Sequence, residues 1–105
     1  MNQQIELLIH VPRSLFYFHG HFPDFAILPG MVQIDWALML ARRYMGLSSG
    51  PVASMRVKFT KPITPGADLQ LTLDYTAARR ELRFEYRDDR SSCGSGRIEL
   101  HADGI

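Results

Sequence analysis

The sequence predicts an α+β domain: an antiparallel β-sheet with one apolar face wrapped around a single helix that is buried on most sides. Three observations lead there. Apolar and polar residues alternate in one stretch near the start and in several more after residue 50. One run free of Pro and Gly, Met31 to Tyr44, is long enough for about four helical turns. Clusters of turn-forming residues separate these stretches. With 105 residues the chain makes one domain, 1–105, and its 46% hydrophobic and 22% charged content is that of a folded globular protein rather than a disordered one.

Ile5, Leu7, Ile9 and Val11 interleave with Glu6, Leu8 and His10, the period-2 pattern of a strand that stops at Pro12. An irregular segment rich in aromatics follows, from Ser14 to Pro29, broken by Gly20 and Pro23. The helix comes next. Met31, Val32, Ile34, Trp36, Ala37, Leu38, Met39, Leu40 and Ala41 cover almost every face of it, which predicts cover on most sides. Gly46 and Ser48-Ser49-Gly50-Pro51 end it. Ala53, Met55, Val57 and Phe59 alternate with Ser54, Arg56 and Lys58, and Pro62 to Gly66 is a turn-rich link. Leu69, Leu71, Leu73 and Tyr75 form the next alternating set, then Leu82, Phe84 and Tyr86, with a hairpin loop over Asp88 to Ser92. Ile98, Leu100 and Ala102 finish the pattern, and Gly94 and Gly96 mark a bulge or a close backbone approach. The order is one strand, one helix and about four meandering strands. A sheet this thin leaves an open edge, a liability that pairing with a second copy resolves.

Composition excludes several functions. Twelve Lys+Arg against eleven Asp+Glu give a net charge of +1, without the basic excess of a nucleic-acid binder. The acid-free stretch from Trp36 to Ala67 holds Arg42, Arg43, Arg56, Lys58 and Lys61. It reads either as a positive patch for an acidic partner or as a scattered solvated face. One cysteine, Cys93, makes no internal disulfide, and His10, His19, His21 and His101 lack zinc-site spacing, so no metal is expected. Without a signal-like N-terminus or an apolar run long enough to span a bilayer, the protein is expected in the cytoplasm, away from membranes.

Chemistry concentrates between residues 18 and 35. Gly20-His21-Phe22 is followed by Leu28-Pro29-Gly30, and Asp35 stands five residues after Gly30 and fourteen after His21. A second run has Val57-Lys58-Phe59, Pro62-Ile63 and Pro65-Gly66-Ala67-Asp68. In its own right, Asp35 in the second turn of an apolar helix is either desolvated, and so able to keep a proton near neutral pH, or solvated at an edge near the positive helix end. His21 has the pKa range of a base that is neutral at pH 7, whereas His19 reads as structural. The Gly30 N–H, at a helix start, lacks an intrahelical partner and points along the positive end of the dipole.

Together these two runs, from about Leu15 to Tyr75, resemble the bacterial 3-hydroxyacyl-acyl-carrier-protein dehydratases, which have the hot-dog fold. Asp24 stands where that family commonly has glycine, Ala26 where it commonly has proline, and Asp35 matches the branch that uses aspartate rather than glutamate. The short chain and the Val32-Gln33-Ile34-Asp35-Trp36-Ala37 run look most like the small dehydratases of aryl-polyene biosynthesis.

The resemblance implies an enzyme that removes water from a (3R)-3-hydroxyacyl thioester on acyl carrier protein, leaving the trans-2-enoyl thioester. It implies that His21 takes the α-proton, that the Gly30 N–H holds the thioester carbonyl, and that Asp35 protonates the departing hydroxyl. It further implies a homodimer whose sites combine His and acid from opposite protomers, or a higher oligomer of such dimers, and no cofactor. Phe16, Phe18, Phe22, Phe25 and Met31 are candidate walls of the acyl tunnel, or else plain core. Arg56 and Lys58, on the polar side of their strand, are the candidate carrier-protein contacts. The alternatives are a hot-dog acyl thioesterase, with Asp35 activating water, and a non-catalytic acyl-thioester-binding subunit.

Overall fold

The computed structural model describes residues 2–15, 27–47 and 50–101. Strand β1 (Asn2–His10) precedes helix α1 (Gly30–Met45), and strands β2 (Val52–Phe59), β3 (Asp68–Thr76), β4 (Glu81–Arg87) and β5 (Ser92–Leu100) follow. They form one five-stranded antiparallel sheet in the order β1-β3-β4-β5-β2.

Strands β3, β4 and β5 form the expected meander, but β2 does not join it in sequence order. It pairs with β5 at the far edge, so the link from Thr60 to Ala67 crosses the sheet before β3 begins. Alternation places residues on faces; it carries no information about which strand is the neighbour.

The register explains the core. Leu7, Leu71, Tyr86, Gly94 and Phe59 stand in one row across all five strands, and Ile5, Leu73, Phe84, Gly96 and Val57 stand in the next. All of these side chains fall on the face that carries α1. Leu71, Leu73, Leu82, Tyr86 and Ile98 are fully buried there against Val32, Ile34, Ala37, Ala41 and Met45 of the helix. Burying each such side chain contributes about 1.5–3 kcal/mol. The two glycines are close approaches, as expected. A Cβ on Gly96 would lie 2.5 Å from the Phe84 ring and 2.8 Å from Val57, and one on Gly94 would lie 3.1 Å from the Phe59 ring. They make room for aromatic neighbours on adjacent strands. The irregularity in pairing falls beside them, where Cys93 is skipped between Tyr86↔Gly94 and Arg87↔Ser92.

The helix starts after Pro29 and ends at Gly46, whose φ of 64° is the left-handed conformation that glycine adopts without strain. Arg42 and Arg43 sit in its last turn, where positive charge complements the dipole. The expectation of a helix covered on most sides needs correction for the single chain. The sheet covers Val32, Gln33, Ile34, Ala37, Ala41 and Met45, but Met31 is 63% and Met39 56% exposed, with Asp35 exposed between them. These three residues are four apart and form one open ridge. No helix among the described residues is long and apolar enough to cross a membrane.

Candidate active site

Leu28-Pro29-Gly30 is held in place before any helix packing is considered. The Leu28 N–H donates to the Ile63 carbonyl at 2.8 Å, and Leu28 and Ile63 are both buried. The same link is tied to the end of β1, because Val11 and Gly66–Ala67 exchange two backbone bonds of 2.8 and 2.7 Å. Phe59, the last residue of β2, lays its ring against Gly30, with a Cβ there only 2.6 Å from ring carbon Cε2. The second sequence run therefore braces the first: Phe59 packs on Gly30 and Ile63 anchors Leu28. That contact explains why the two runs, about thirty residues apart, occur together.

At the helix start the Pro29 carbonyl accepts the Val32 and Gln33 amides at 3.1 and 3.2 Å. The amides of Gly30 and Met31 have no acceptor among the described residues, and no acidic side chain lies in the first turn. Among the described residues, two N–H donors at the positive end of a sixteen-residue helix thus have no acceptor. Asp35 lies on the open ridge of the next turn. Asp35 is exposed, because the sheet covers the opposite face of α1.

Of the other expected site residues, His21, Phe16, Phe18, Phe22 and Phe25 lie outside the described residues, as does His19. Met31 is on the open ridge beside Asp35. Arg56 and Lys58 are exposed and point to the outer face of the sheet, opposite α1, while Met55, Val57 and Phe59 point to the helix side. Register extends this basic feature: Arg56, Arg97 and Arg83 stand side by side on β2, β5 and β4. Glu81, only 5% exposed, offsets part of their charge through contacts of 2.8 Å to Arg83 and 3.9 Å to Arg97. Open concavities among the described residues also lie on this outer face, one bordered by Arg56, Lys58 and Arg97, the other by Leu8, His10 and Asp68.

Two residues of the site neighbourhood were not singled out from the sequence. Gln33 is buried, with its Nε2 donating to the Leu28 carbonyl at 3.2 Å and its Oε1 unpartnered among the described residues. Tyr86, on β4, donates its hydroxyl to the Gln33 carbonyl at 2.6 Å. A glutamine in an otherwise apolar helix was the available signal for the first. Tyr86 looks like any other inward aromatic of an alternating strand.

A family model of ApeI-like proteins, described as ApeI dehydratase, matches residues 1–97. The chain belongs to this family. Among solved structures, the ApeI-like chain is similar to an uncharacterized protein from Erwinia carotovora subsp. atroseptica, with a TM-score of 0.86 and 34% identity over 99% of this chain and 87% of that one. It is also similar to the dehydratase heterocomplex ApeI:P from Xenorhabdus doucetiae, with a TM-score of 0.80 and 28% identity over 97% of this chain and 95% of that one. A curated relative, the 3-hydroxyacyl-[acyl-carrier-protein] dehydratase FabZ of Erythrobacter litoralis, is 28% identical over 97 residues, 83% of this chain. The match spans 63% of that relative's length. A hot-dog-like protein from Thermanaerovibrio acidaminovorans, 13% identical with a TM-score of 0.69, shares the fold alone. The ApeI-like chain has the hot-dog architecture expected from its sequence: one helix on a five-stranded antiparallel sheet.

Proposed function

We propose that this chain is a dehydratase that removes water from a (3R)-3-hydroxyacyl thioester carried on acyl carrier protein, giving the trans-2-enoyl thioester. The observation that carries the reading is the helix start: Gly30 and Met31 amides with no acceptor among the described residues, braced by Phe59 and Ile63, with Asp35 on the open ridge one turn along. Membership of a dehydratase family supports it. The thioester carbonyl accepts from the Gly30 N–H, which stabilises the charge that gathers on oxygen as His21 removes the α-proton. The electron pair then expels the 3-hydroxyl, and Asp35 delivers a proton to it, so that it leaves as water. No metal or organic cofactor enters these steps.

The site is completed by a second hot-dog subunit. Strand β2 is an edge of the sheet among the described residues, and Met55, Val57 and Phe59 on it are 41%, 37% and 44% exposed. A partner over this edge and over the Met31–Asp35–Met39 ridge would bury the apolar surface and enclose Asp35. A homodimer is the simplest assembly. The Xenorhabdus relative is a heterocomplex, which favours a second reading in which a related chain replaces the second copy. The exposed Arg56 and Lys58 receive the acidic carrier protein, and the reaction serves fatty-acid or aryl-polyene-type biosynthesis in the cytoplasm, a reducing setting that suits the free, buried Cys93.

The test is to incubate the purified protein with 3-hydroxyacyl thioesters while following enoyl absorbance and free thiol in parallel. Enoyl product without thiol release is expected, with His21→Ala and Asp35→Asn each lowering the rate by about 10²–10⁴-fold. Thiol release without enoyl formation would make the protein a thioesterase, and binding without turnover would make it a non-catalytic subunit.

A further inference from the structure

Helix α1 rests on the sheet mainly through Val32, Ile34, Ala37, Ala41 and Met45, packing that is non-directional and leaves small slides and rotations cheap. The Tyr86 hydroxyl adds a directional contact. Tyr86 is fully buried on β4, its ring edge-on to Phe84 at 5.9 Å and 71°, and it occupies the same row as Gly94, where no side chain competes for space. Its hydroxyl donates to the Gln33 carbonyl at 2.6 Å. In a regular helix that carbonyl is also the acceptor of the amide four residues on, Ala37, so the hydroxyl bonds at the first carbonyl of that turn. The hydroxyl thus holds the start of the turn from Gln33 to Ala37, whose middle residue is Asp35. The Gln33 side chain extends the connection to the Leu28 carbonyl, at the approach to Gly30.

We propose that Tyr86 is a positioning residue for the dehydration: its hydroxyl sets the rotation and height of the 33–37 turn on the sheet, and so the aim of the Asp35 carboxylate. Burial pushes the phenol well above the ordinary tyrosine range, so it remains a donor at neutral pH. The inference rests on the proposed role of Asp35 as the acid.

The test is a double-mutant cycle on the dehydration rate. Tyr86→Phe keeps the ring and its packing and removes only the hydroxyl. A displacement of about 1 Å at a reacting group costs on the order of 10²-fold, so kcat is expected to fall by about 10- to 100-fold with KM within about twofold. In an Asp35→Asn background the same change should cost almost nothing further, because the residue it aims is already disabled. Unchanged kcat in folded Tyr86→Phe overturns the proposal. So does an equal loss in both backgrounds, which is the signature of a general structural effect. Wild-type rate in Asp35→Asn alone would instead overturn the assignment of Asp35. If Tyr86→Phe does not fold, 4-fluorophenylalanine at position 86 fills the volume without the donor and carries the same expectations.

Discussion

Replacing Gly30 by alanine separates stability from catalysis at the helix start. The added Cβ would lie 2.6 Å from Phe59 Cε2, 2.8 Å from Cζ and 3.2 Å from Cδ2, so the ring must move. It can, because Phe59 is the end of an edge strand and 44% exposed. Full burial of a phenylalanine is worth about 1.5–3 kcal/mol, and losing roughly half of that costs about 1 kcal/mol. Gly30 does not have positive φ, and alanine gains about 0.5–1 kcal/mol over glycine in a helix. The net change in stability is therefore within about 1 kcal/mol, a Tm shift of at most about 8 °C. Catalysis has no such compensation. A methyl group beside the carbonyl-binding amide, and a displaced Phe59, should lower kcat/KM by about 10²-fold or more. Gly96→Ala is the control: its Cβ would meet Phe84, only 3% exposed, and Val57 on the other side, so overpacking should cost about 1–3 kcal/mol. Thermal unfolding and initial rates of enoyl formation measure both variants. A Gly30→Ala protein that is stable and fully active would refute the need for a side-chain-free helix start braced by Phe59.

The shared site predicts complementation: mixing and re-associating inactive His21→Ala and Asp35→Asn chains should restore up to about a quarter of wild-type activity, and proven exchange without recovery counts against it. Reversing Arg56 and Lys58 to Glu should raise KM for acyl-carrier substrates and spare short soluble thioesters. Rising salt should shrink that effect, since the Debye length is about 8 Å at 0.15 M; equal losses on both substrates would move the docking surface elsewhere. Asp88 is held below the usual carboxylate range by the Lys61 ammonium and by the Ser91 and Arg90 amides. Its depressed proton affinity stabilises the fold above the ordinary Asp value, and that contribution disappears as the pH falls below about 4. Asp88→Asn should therefore be less stable at pH 7 and lose less on acidification; identical unfolding midpoints for both proteins from pH 7 to about pH 2 would remove the effect.

Much of the fold was legible because its signals are local. Leu69, Leu71, Leu73 and Tyr75 alternate strictly and are all buried in β3, and the Pro- and Gly-free run from Met31 is the helix. What local patterns lack is the identity of the neighbour. The place of β2 beside β5, and the crossing of residues 60–67 over the sheet, follow from pairings of Phe59 with Gly94 and Val57 with Gly96 that lie more than thirty residues apart. The candidate site showed in the sequence only as a motif, and of its residues Gly30 and Asp35 stand on α1 where the sequence places them. The exposure of Asp35 was not legible, since an apolar helix does not reveal which of its faces the sheet will take. Tyr86 was hidden for a different reason: its ring satisfies the strand pattern, and the hydroxyl's partner is a backbone carbonyl, which every residue has.

The far-edge position of β2 also sets an order of events during synthesis. Residues 52–59 leave the ribosome early, but β5, their partner within the chain, consists of residues 92–100. At about 5–20 residues per second, β2 waits roughly 2–7 s with Met55, Val57 and Phe59 uncovered and both backbone edges open. The bracing of Gly30 by Phe59 cannot be secured before that pairing forms. Fragments ending before Ser92 therefore contain every residue proposed for the chemistry, yet lack the strand that holds β2 and Phe59 in place.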